Sequence, residues 1–485
     1  MPNLNRVFDI IGGTEKSEYS EFTPQSITNM FFTQNAEAIQ RKALFPREGL
    51  SIDRGLKFNI GGTNKGGRAS YYLDNKMFQV IKDTVFMITA DYNEEGLPQF
   101  NHFVLGTLNT ETGPVAIADN NQQVIFVDGV NGYLYDLTTG SFGVITSPGF
   151  PTSPSTVAVL GNRFIVNKGE SKESYYSAQG NGLSWGANDF FSLDLESDII
   201  VAYATLNGRL YIMGQRSTEV WYVASSPTLP FRPQKPTIEY GCNALGSVAV
   251  GFGMIVWLSR TNYGMGGIRK ISGQDLSAQI SNESIDTILD KSTDLSGSTG
   301  YLYKNDVGHI MYVINLAADN LSYMFDFNMG KWSKLESEGN RFYGNTYINY
   351  KNHHYVLDYE NPYMYEMSTN FNDDAGIAIK REIVSPVFFS PNPISINEYR
   401  LFTKQGTGTD GGTDEEPTIS LEVSNDGGVS YEYERKASLG KAGKRLTETF
   451  WNTLGTYSSW VFRHRHYNKT KCIILGAMGN VGDGK

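Results

Sequence analysis

A turn motif that recurs about every 45 residues constrains the fold of this chain more than any other feature. Residues 135–142 (YDLTTGSF) and residues 325–332 (FDFNMGKW) share the order aromatic, Asp, apolar, Thr or Asn, any residue, Gly, polar, aromatic, and residues 365–371 (YEMSTNF) are a weaker echo. Asp in such a turn accepts a backbone N–H two residues further on, Gly allows a positive φ, and the aromatic residues close a hairpin. Units of several strands with roughly this period indicate a β-propeller.

Seven short apolar runs, spaced by roughly 40 to 55 residues, are the predicted inner strands of the blades. Each run is apolar on both faces, which is typical of a strand packed between neighbouring blades. We therefore predict an all-β protein in which residues 60–372 form a six- or seven-bladed β-propeller, because only a closed ring buries both faces of every sheet. The runs are residues 85–88, 124–127, 164–166, 210–213, 254–257, 310–313 and 355–357.

The flanking regions lack this rhythm. Residues 1–59 are predicted to form an extended N-terminal arm, because Pro24, Pro46 and several amides interrupt their apolar stretches. Residues 373–485 are predicted to form a C-terminal β-sandwich with an acidic, mobile loop at 405–417. The strands predicted for this domain are residues 384–389, 398–403, 419–423, 431–435, 460–467 and 472–475. A polar insertion at 281–298 contains a predicted short helix at 285–289 (IDTIL).

The charge of the chain is unevenly distributed. The formal net charge of the 485 residues is −10 at pH 7, yet residues 431–485 contain ten Lys or Arg and four Asp or Glu, so this segment carries +6 and the preceding residues carry −16. An acidic protein is a poor sequence-independent binder of nucleic acid, which requires basic surface. The basic segment suggests a second surface for a different partner, although solubility explains it equally well.

Composition also limits the compartment. No run approaches the roughly 18 apolar residues of a membrane span, and the N-terminus lacks the charged region and apolar core of a secretory signal. We therefore expect a soluble protein made without a secretory signal and without a membrane span. Cys242 and Cys472 are too few for a disulfide framework or a cysteine zinc site, and we expect both to be small buried hydrophobes.

Candidate chemical sites are few, and we predict no catalytic, cofactor-binding or metal-binding residue. Residues 61–68 (GGTNKGGR) lack the Gly-Lys-Ser/Thr ending of a phosphate loop and precede strands, so they are expected to be a flexible connector. His353 and His354 would point to opposite faces of a strand. His464 and His466 would share a face, but no third ligand is nearby, and a solvated or interface strand is expected there.

Residues 424–431 (SNDGGVSY) are the sharpest local motif. They resemble the Asp-box, Ser-x-Asp-x-Gly-x-x-Trp with Tyr in the last position, a hairpin turn that recurs in sialidase-like propellers. Those enzymes also need an arginine cluster, a Tyr nucleophile and several boxes, whereas this chain has a single box outside the repeat. Asp426, Gly427 and Gly428 are therefore predicted to be a structural turn, in which Asp426 caps the backbone and the glycines allow the reversal.

Three stretches together resemble the tail hub of short-tailed bacteriophages, the family called packaged DNA stabilisation protein or tail accessory factor. Residues 18–30 and residues 44–50 (LFPREGL) are similar to the family's Tyr-x-Asn-Met and Phe-Pro-Gly elements, although Arg47 and Glu48 split the second element. Residues 207–222 are similar to a strand, turn and strand that carry the family's Ser-Thr-x-Glu element. The third stretch, residues 424–463, resembles the C-terminal domain of the hub in spacing and residue type.

The resemblance implies a structural virion protein that is not an enzyme and uses no cofactor. Such a protein is expected to form a homo-hexameric ring below the portal and head-tail adaptor proteins and to provide attachment for tail fibre, tailspike or needle proteins. It would retain packaged DNA until DNA ejection, and genome DNA would pass through its channel without specific binding, repelled by an acidic wall. The expected location is the virion tail, after assembly in the host cytoplasm, and residues 1–55 would be ordered by neighbouring chains.

The basic residues Arg463, Arg465, Lys469 and Lys471 are the candidate partner contacts, because exposed rim charges steer association. Reversing the charges of the two arginines is expected to slow attachment of the hub and to leave folding of the monomer nearly intact. Two other classes stay open: a sialidase-like or carbohydrate-binding propeller, and a monomeric propeller scaffold for protein interaction. Carboxylates and arginines gathered at the propeller mouth would distinguish the first, and the mass in solution the second.

Overall fold

The computed structural model describes residues 4–16, 24–34, 42–63, 65–193, 198–226, 230–273, 277–412 and 414–483. These residues form 41 β-strands, one α-helix and one short 3-10 helix, so the all-β prediction is confirmed. Residues 18–23 of the first stretch that resembles the tail hub, and Thr413 of the predicted loop, lie outside the described residues.

The strands between Gly67 and Ser368 build a propeller of sheets, together with one strand from the N-terminal segment, Gly49–Lys57. The N-terminal strands are β1 (Leu4–Phe8), β2 (Ser26–Thr28), β3 (Met30–Gln34), β4 (Lys42–Pro46) and β5 (Gly49–Lys57). The first blade contains β6 (Gly67–Leu73), β7 (Lys76–Ile81), β8 (Thr84–Tyr92) and β9 (Pro98–Thr107). The second contains β10 (Ala116–Asp119), β11 (Gln123–Val127), β12 (Gly132–Asp136) and β13 (Phe142–Val144). The third contains β14 (Val157–Leu160), β15 (Arg163–Asn167), β16 (Glu173–Ala178) and β17 (Asn181–Ser192).

The remaining blades follow the same order along the chain. The fourth contains β18 (Ile200–Leu206), β19 (Arg209–Gly214), β20 (Thr218–Val223) and β21 (Phe231–Ile238), and the fifth contains β22 (Gly241–Cys242), β23 (Ala249–Gly251), β24 (Met254–Thr261), β25 (Gly264–Ser272) and β26 (Ser277–Gln279), with a 3-10 helix at Leu245–Ser247. The sixth contains β27 (Thr299–Lys304), β28 (Ile310–Leu316), β29 (Leu321–Asp326) and β30 (Lys331–Leu335), and the seventh contains β31 (Gly344–Tyr350), β32 (His353–Asp358), β33 (Tyr363–Ser368) and β5.

The ring of blades closes on itself. The innermost strands contact one another in the order β6, β10, β14, β18, β23, β27 and β31, and β31 contacts β6. Strand β5 pairs with β33, placing Leu56 opposite Met364 and Leu50 opposite Met367, and so supplies the outer strand of the seventh blade. The predicted β-propeller is therefore confirmed, and the pairing of its strands gives seven blades.

The seven apolar runs are not the inner strands. Six of them lie in the second strand of a blade, counted from the axis, and residues 85–88 lie in the third strand of the first blade. A second strand has a sheet neighbour on each side and another blade on each face, which explains its apolar run. The inner strands instead expose one edge and one set of side chains to the central channel, as in β6, where Ser70 and Tyr72 are partly exposed.

The turn motif forms the predicted hairpins. Oδ1 of Asp136 accepts the backbone N–H groups of Thr138 at 2.9 Å and Thr139 at 3.0 Å, and Gly140 has a φ of 70°. Tyr135 and Phe142 are paired across the two strands, as Phe325 and Trp332 are in the second copy. The echo at 365–371 is weaker because the chain leaves the propeller there and β5, not the next segment, provides the fourth strand.

The predicted insertion helix is present as α1 (Glu283–Lys291). Its N-cap is Asn282, whose side chain accepts the N–H of Ile285 at 3.1 Å, and Ile285 and Leu289 are buried between the fifth and sixth blades. In the part of the chain that is described, no helix has the length and apolar character to cross a membrane.

The C-terminal residues form a sandwich whose longest strand contributes to both sheets. This strand, β40 (Thr449–His466), pairs through residues 449–460 with β37 (Phe388–Thr403). Its last residues pair with β36 (Arg381–Val384) and β38 (Thr418–Ser424). Between the sheets lies a core that includes Trp460, Phe462 and Tyr399. The strands after the propeller are β34 (Asp373–Asp374), β35 (Ile377–Ala378), β36 (Arg381–Val384), β37 (Phe388–Thr403), β38 (Thr418–Ser424), β39 (Arg435–Ser438), β40 (Thr449–His466) and β41 (Ile474–Asp483).

Strands β37, β40 and β41 extend well beyond the predicted runs. The strand predicted at 431–435 is wrong, because residues 431–434 are a loop and β39 begins at Arg435. Strand β37 continues through Pro391 and Pro393 because its register shifts between Phe389 and Ile394, and the prolines lie in that irregular stretch. The loop at 405–417 lies against the following loop, where the N–H of Gly406 donates to the carbonyl of Leu439 at 2.9 Å. Its mobility stays a prediction.

The N-terminal segment is not an extended arm. Strand β1 pairs with β41 of the sandwich, β2 lies between β30 of the propeller and β36 of the sandwich, and β4 pairs with β41. Together with β5 in the seventh blade, these strands tie the segment into both domains of its own chain. Neighbouring chains are therefore not needed to order its described residues, and one sheet runs from the sixth blade through β2 into the sandwich.

Candidate functional site

The joint between propeller and sandwich contains a buried ion pair, Arg47 with Asp374. The side chains of both residues are 2% exposed, Nη2 of Arg47 is 2.5 Å from Oδ2 of Asp374, and Nη1 is 3.0 Å from Oδ1. This two-pronged geometry matches the guanidinium fork to the carboxylate. The pair therefore fixes the N-terminal segment against the residues that leave the propeller.

Arg47 and Asn29 share further partners at this joint. Nε of Arg47 donates to Oδ1 of Asn29 at 2.8 Å, and Nη2 donates to the carbonyl of Glu336 at 3.0 Å. The side-chain amide of Asn29 donates to the carbonyls of Glu336 and Lys380 at 2.9 and 2.8 Å, and Asn29 itself has a φ of 57°. The Asn-Met element and the split Pro-Gly element of the sequence analysis thus meet at one point between the domains.

Glu48, the other residue that splits the element, is also buried. Its Oε2 accepts the hydroxyl of Tyr303 at 3.0 Å, and its Oε1 has no hydrogen-bond partner among the described residues. Burial raises the pKa of Glu48 to about 7, against the opposing effects of its own backbone N–H and of Tyr303. The carboxyl of Glu48 therefore titrates near neutral pH.

Arg381 is a second buried arginine at the joint. Its Nη1 donates to the carbonyls of Asn468 and Thr470 at 3.3 and 3.2 Å, and its Nη2 donates to the carbonyl of Asn372 at 3.2 Å. Burial lowers the pKa of Arg381 to about 10. Sequence reasoning missed Arg381 and the partner of Arg47; the only signal was a pair of charged residues interrupting the apolar stretch at 44–50.

Arg463 and Arg465, the predicted partner contacts, are already paired within the chain. Nε of Arg463 donates to Glu422 at 2.5 Å, Nε of Arg465 donates to Glu382 at 2.5 Å, and Nη1 of Arg465 lies 3.1 Å from Glu422. The guanidinium of Arg463 also lies 3.6 Å from the ring centre of Tyr431. The two side chains are only 20% and 23% exposed.

These pairs continue as a ladder of alternating charges, which we call the charge ladder. Lys380 lies 3.8 Å from Glu382 and 3.3 Å from Glu336, and Lys334 lies 3.3 Å from Glu336. Lys334 belongs to the sixth blade, so the ladder follows the continuous sheet from propeller to sandwich. Its members are Lys334, Glu336, Lys380, Glu382, Arg465, Glu422 and Arg463.

The other two predicted contacts are placed differently. Lys469 is exposed and its backbone N–H donates to Oδ1 of Asp414 at 3.2 Å, while Lys471 is half-buried. Among the described residues, no carboxylate lies within 4.0 Å of either ammonium group. The charges of the two lysines therefore remain available to a partner, whereas those of the two arginines are paired with carboxylates of the same chain.

His464 and His466 face the core of the sandwich and not solvent, so the expectation of a solvated or interface strand is wrong. Both are 1% exposed. Nε2 of His464 lies 3.0 Å from the hydroxyl of Tyr399, and Nδ1 of His466 lies 3.0 Å from the carbonyl of Thr418. Burial lowers the pKa of each imidazole to about 4, so both rings are neutral at pH 7.

The histidines of the propeller do not converge. Nδ1 of His353 lies 2.9 Å from Glu366, whereas Nδ1 of His354 lies 2.7 Å from the hydroxyl of Tyr347. In the described part of the chain, no group of three His, Cys, Asp or Glu side chains is arranged to hold a metal ion. Cys242 and Cys472 are buried as predicted, and burial raises the pKa of their thiols to about 12 and about 11.

The Asp-box residues form a turn at the end of β38. Oδ1 of Asp426 accepts the N–H groups of Val429 at 3.1 Å and Ser430 at 2.9 Å, and the hydroxyls of Ser424 and Ser430 also donate to its carboxylate. These hydrogen bonds, led by that of Ser430, lower the pKa of Asp426 to about 2. Gly427 and Gly428 have φ values of 75° and 91°, so this turn requires glycine.

The inner strands surround a central cavity of about 840 Å³. Arg68 and Lys351 are among its lining residues, together with tyrosines and asparagines such as Tyr72 and Asn349, and no carboxylate of the described residues lines it. The wall of this cavity is therefore not the acidic surface that the net charge of the propeller suggested. It also lacks the gathering of carboxylates and arginines expected of a sialidase-like site.

Comparison with known proteins covers both domains. The family model described as "Bacteriophage P22 Gp10, beta-propeller" matches residues 7–372, and the one described as "Bacteriophage P22 Gp10, beta-sandwich" matches residues 380–481. No curated protein matches the chain. A solved structure of an auxiliary nutrient binding protein from Bacteroides thetaiotaomicron VPI-5482 is 8% identical, covers 67% of this chain and 82% of its own, and has a TM-score of 0.38.

The two family matches account for the fold that the strands build. They follow the same order along the chain, propeller first and sandwich second, and together they span nearly all of it. The chain therefore belongs to the bacteriophage P22 Gp10 family and is a structural tail protein of a phage virion.

Proposed function

We propose that this protein is the tail hub of a short-tailed phage, forming a homo-hexameric ring below the portal and head-tail adaptor proteins. In this role it extends the DNA channel, retains packaged DNA and provides attachment for tail fibre, tailspike or needle proteins. The observation that carries the proposal is the pairing of both family domains, in order, with a joint between them built from buried contacts.

The joint suits a part that bears load. A hub between a DNA-filled head and the tail must resist force across both of its domains. The bidentate pair of Arg47 with Asp374, the contacts of Arg381 and the sheet that runs through β2 all oppose hinge motion between propeller and sandwich. Domains joined only by a linker move relative to one another by default, so these contacts support a rigid connector.

The distribution of charge supports a conduit. The first 430 residues carry a formal charge of −16, and a surface of that sign repels the phosphate backbone and does not hold a sliding duplex. The acidic surface that faces DNA in the ring lies outside the central cavity of the propeller. Lys469 and Lys471, which no described carboxylate pairs, are the basic side chains best suited to contact a protein partner.

Co-purification with the portal and adaptor proteins tests the role of these lysines. We expect the double variant Lys469→Glu, Lys471→Glu to bind the portal-adaptor complex roughly tenfold more weakly at low salt, with the difference shrinking as salt screens the charges. The double variant Lys172→Glu, Lys304→Glu makes an equal charge change at exposed positions of the third and sixth blades and is the matched control. Equal retention of both variants would refute the assignment of the lysines.

The copy number in the virion tests the ring itself. A closed ring made by head-to-tail contacts contains identical subunits in a fixed number, and the proposal requires six. Quantitative mass spectrometry of purified virions, normalised to the portal protein, measures this number. One copy per particle would exclude a ring, whereas a monomer in isolation would not, because the adaptor ring is the proposed template for assembly.

A structural and non-catalytic role is part of the same proposal. It is supported by the turn geometry of Asp426, whose two carboxylate oxygens are occupied by hydrogen bonds from its own loop. We expect no turnover of sialosides by the purified protein. Hydrolysis that disappears in the Asp426→Asn variant would contradict this part of the proposal.

A further inference from the structure

A cavity of about 250 Å³ lies beside the mouth of the central channel, between the first, sixth and seventh blades. Its lining comes from the segments that enter the inner strands β6, β10, β27 and β31, and includes Arg68, Ser298 and Arg341. A water molecule occupies about 30 Å³ in the liquid, so the cavity has room for a small polar group together with water.

Arg341 brings a positive charge to this cavity without a carboxylate partner. Its guanidinium lies 3.9 Å from the ring centre of Tyr359 and is half-buried. No carboxylate of the described residues is within 4.0 Å of it. Asp358 and Glu360 attract the guanidinium from a greater distance. The oxygens of Asp358 accept the N–H groups of Glu360 and Asn361 and the hydroxyl of Tyr365.

Arg68 adds a second charge from the floor of the same cavity. Its guanidinium donates to neutral acceptors only, among them the carbonyls of Gly113 at 2.7 Å and Thr112 at 2.8 Å and the hydroxyl of Thr110 at 2.7 Å. These contacts satisfy its N–H groups with no described carboxylate within 4.0 Å. Asp83 and Asp128 attract the guanidinium from a greater distance, and Oδ2 of Asp128 accepts the hydroxyl of Thr110 at 3.2 Å. Glu111, the carboxylate on the rim, is 53% exposed and lies 3.4 Å from Lys82, which offsets its charge.

Ser298 supplies a buried hydroxyl next to the two arginines. It is 1% exposed, and its Oγ has no hydrogen-bond partner within the described residues. A buried hydroxyl without a partner is costly, and a ligand oxygen that it can reach relieves that cost. Two guanidinium groups that no described carboxylate approaches within 4.0 Å therefore lie around one concave site.

We propose that this cavity is a binding site for a phosphate group, in which Arg341 donates hydrogen bonds to the phosphate oxygens and Arg68 supplies a second positive charge. Arginine suits this role because its planar fork matches a phosphate in two places and its charge persists at every physiological pH. Walls of low dielectric constant strengthen the attraction inside a half-enclosed cavity. This inference does not depend on the proposed hub function, since it concerns only the propeller.

Thermal unfolding of the full chain with inorganic phosphate, against chloride at equal ionic strength, tests the site. We expect phosphate to raise the melting temperature with a dissociation constant on the order of 1 mM. Arg341→Ala should weaken the binding at least about tenfold, and Arg341→Lys should retain part of it. Arg163→Ala, which removes an arginine near the ring of Tyr176 in the third blade, is the control and should bind as the wild type does.

A second variant tests the site where Arg341→Ala fails to fold. A Cβ at Gly297, which lines the cavity, would meet only the Cβ of Ala317 at 3.9 Å, so Gly297→Asp introduces a carboxylate without a clash. We expect this variant to fold and to lose the response to phosphate. The proposal is overturned if Arg341→Ala and Gly297→Asp both respond to phosphate as the wild type does.

A parallel measurement with DNA distinguishes two sources of the phosphate group, the nucleic acid backbone and a free or terminal phosphate. Short single-stranded DNA, added in place of inorganic phosphate, supplies phosphodiesters of the kind that passes through a phage tail. A response to DNA that Gly297→Asp abolishes assigns the site to the nucleic acid backbone, and a response to inorganic phosphate alone assigns it to a free or terminal phosphate. Either result supports a phosphate site, and a response to neither ligand refutes it.

Discussion

The propeller and the joint are held together by contacts of different range. In the propeller, each hairpin is closed by residues a few positions apart, as where Asp136 caps the backbone of Thr138 and Thr139. At the joint, the decisive contacts connect residues hundreds of positions apart, as where Arg47 meets Asp374. Hairpins recur from blade to blade, so the loss of one turn leaves the others in place. Each contact at the joint occurs only once.

This difference predicts where the molecule is vulnerable. Loss of one turn removes one of many similar contributions, while loss of one joint residue leaves a buried charge or polar group without its partner. The sandwich side of the joint also buries two histidines, His464 and His466, each 1% exposed. The two regions should therefore respond unequally to acid, to charge reversal and to loss of a single side chain.

Acid should destabilise the sandwich more than the propeller. The pKa of His464 and of His466 is about 4 in the folded protein, below the ordinary 6.5, so their contribution to stability is complete above about pH 6.5 and is lost as pH falls through about 4. Together they account for on the order of 5 kcal/mol. Urea unfolding at pH 7.5 and 4.5 measures the loss, and His466→Gln should roughly halve it. An unchanged pH dependence in that variant would contradict the prediction.

Glu48 should oppose this trend. Its pKa is raised to about 7, so its contribution to stability is complete below the ordinary value of 4.5 and is lost as pH rises through about 7. Glu48→Gln, which mimics the protonated side chain, should stabilise the protein at pH 8 and make the decline in acid steeper. A variant that is less stable than the wild type at pH 8 would show that the ionised carboxylate has a partner at the joint.

Breaking the buried pair should be the most damaging single substitution at the joint. Arg47→Ala leaves Asp374 buried without its partner, and we expect a loss of about 4 kcal/mol in the free energy of unfolding. Calorimetry should then show the propeller and the sandwich unfolding in separate steps. Lys42→Ala, which removes the exposed ion pair with Asp9, is the control and should cost less than about 1 kcal/mol. Equal effects of the two substitutions would remove the contrast between joint and surface.

Charge reversal in the charge ladder should destabilise the monomer. In the double variant Arg463→Glu, Arg465→Glu, the new carboxylates face Glu382 and Glu422, and we expect a loss of about 2 kcal/mol. This revises the expectation, made from sequence, that folding would stay nearly intact. The same charge change at Lys469 and Lys471 should leave the unfolding free energy unchanged. If both double variants are equally stable, the ladder does not stabilise the chain.

Features of the fold that depend on local sequence pattern were predicted correctly. The hairpin turns, the helix at 285–289 and the buried character of the second strands follow from spacing and residue type alone. Assigning the apolar runs to the inner strands failed because the pattern reports burial on both faces, and the second strand of a blade is more deeply buried than the strand that lines the channel.

The joint could not be predicted because its partners are far apart in sequence. Nothing near Arg47 indicates that Asp374 is its partner, and nothing near Arg463 indicates that Glu422 lies on the adjacent strand. Alternation along β40 correctly placed His464 and His466 on one face and the two arginines on the other, but one sequence does not say which face is covered. The basic strand was therefore interpreted as a contact for partners when most of its charge is used inside the chain.

Removing a turn carboxylate should have the smallest effect. Asp136→Ala deletes the acceptor for two backbone N–H groups at an exposed turn, where water replaces it, and we expect a loss of about 1 kcal/mol. Asp136→Asn, which keeps an acceptor oxygen, should cost less. Asp426→Ala in the sandwich turn provides a comparison of the same kind, and a similar value there would show that local turns contribute equally in both domains. A loss at Asp136 as large as that of Arg47→Ala would mean that single blades are not replaceable units and that the contrast between propeller and joint is wrong.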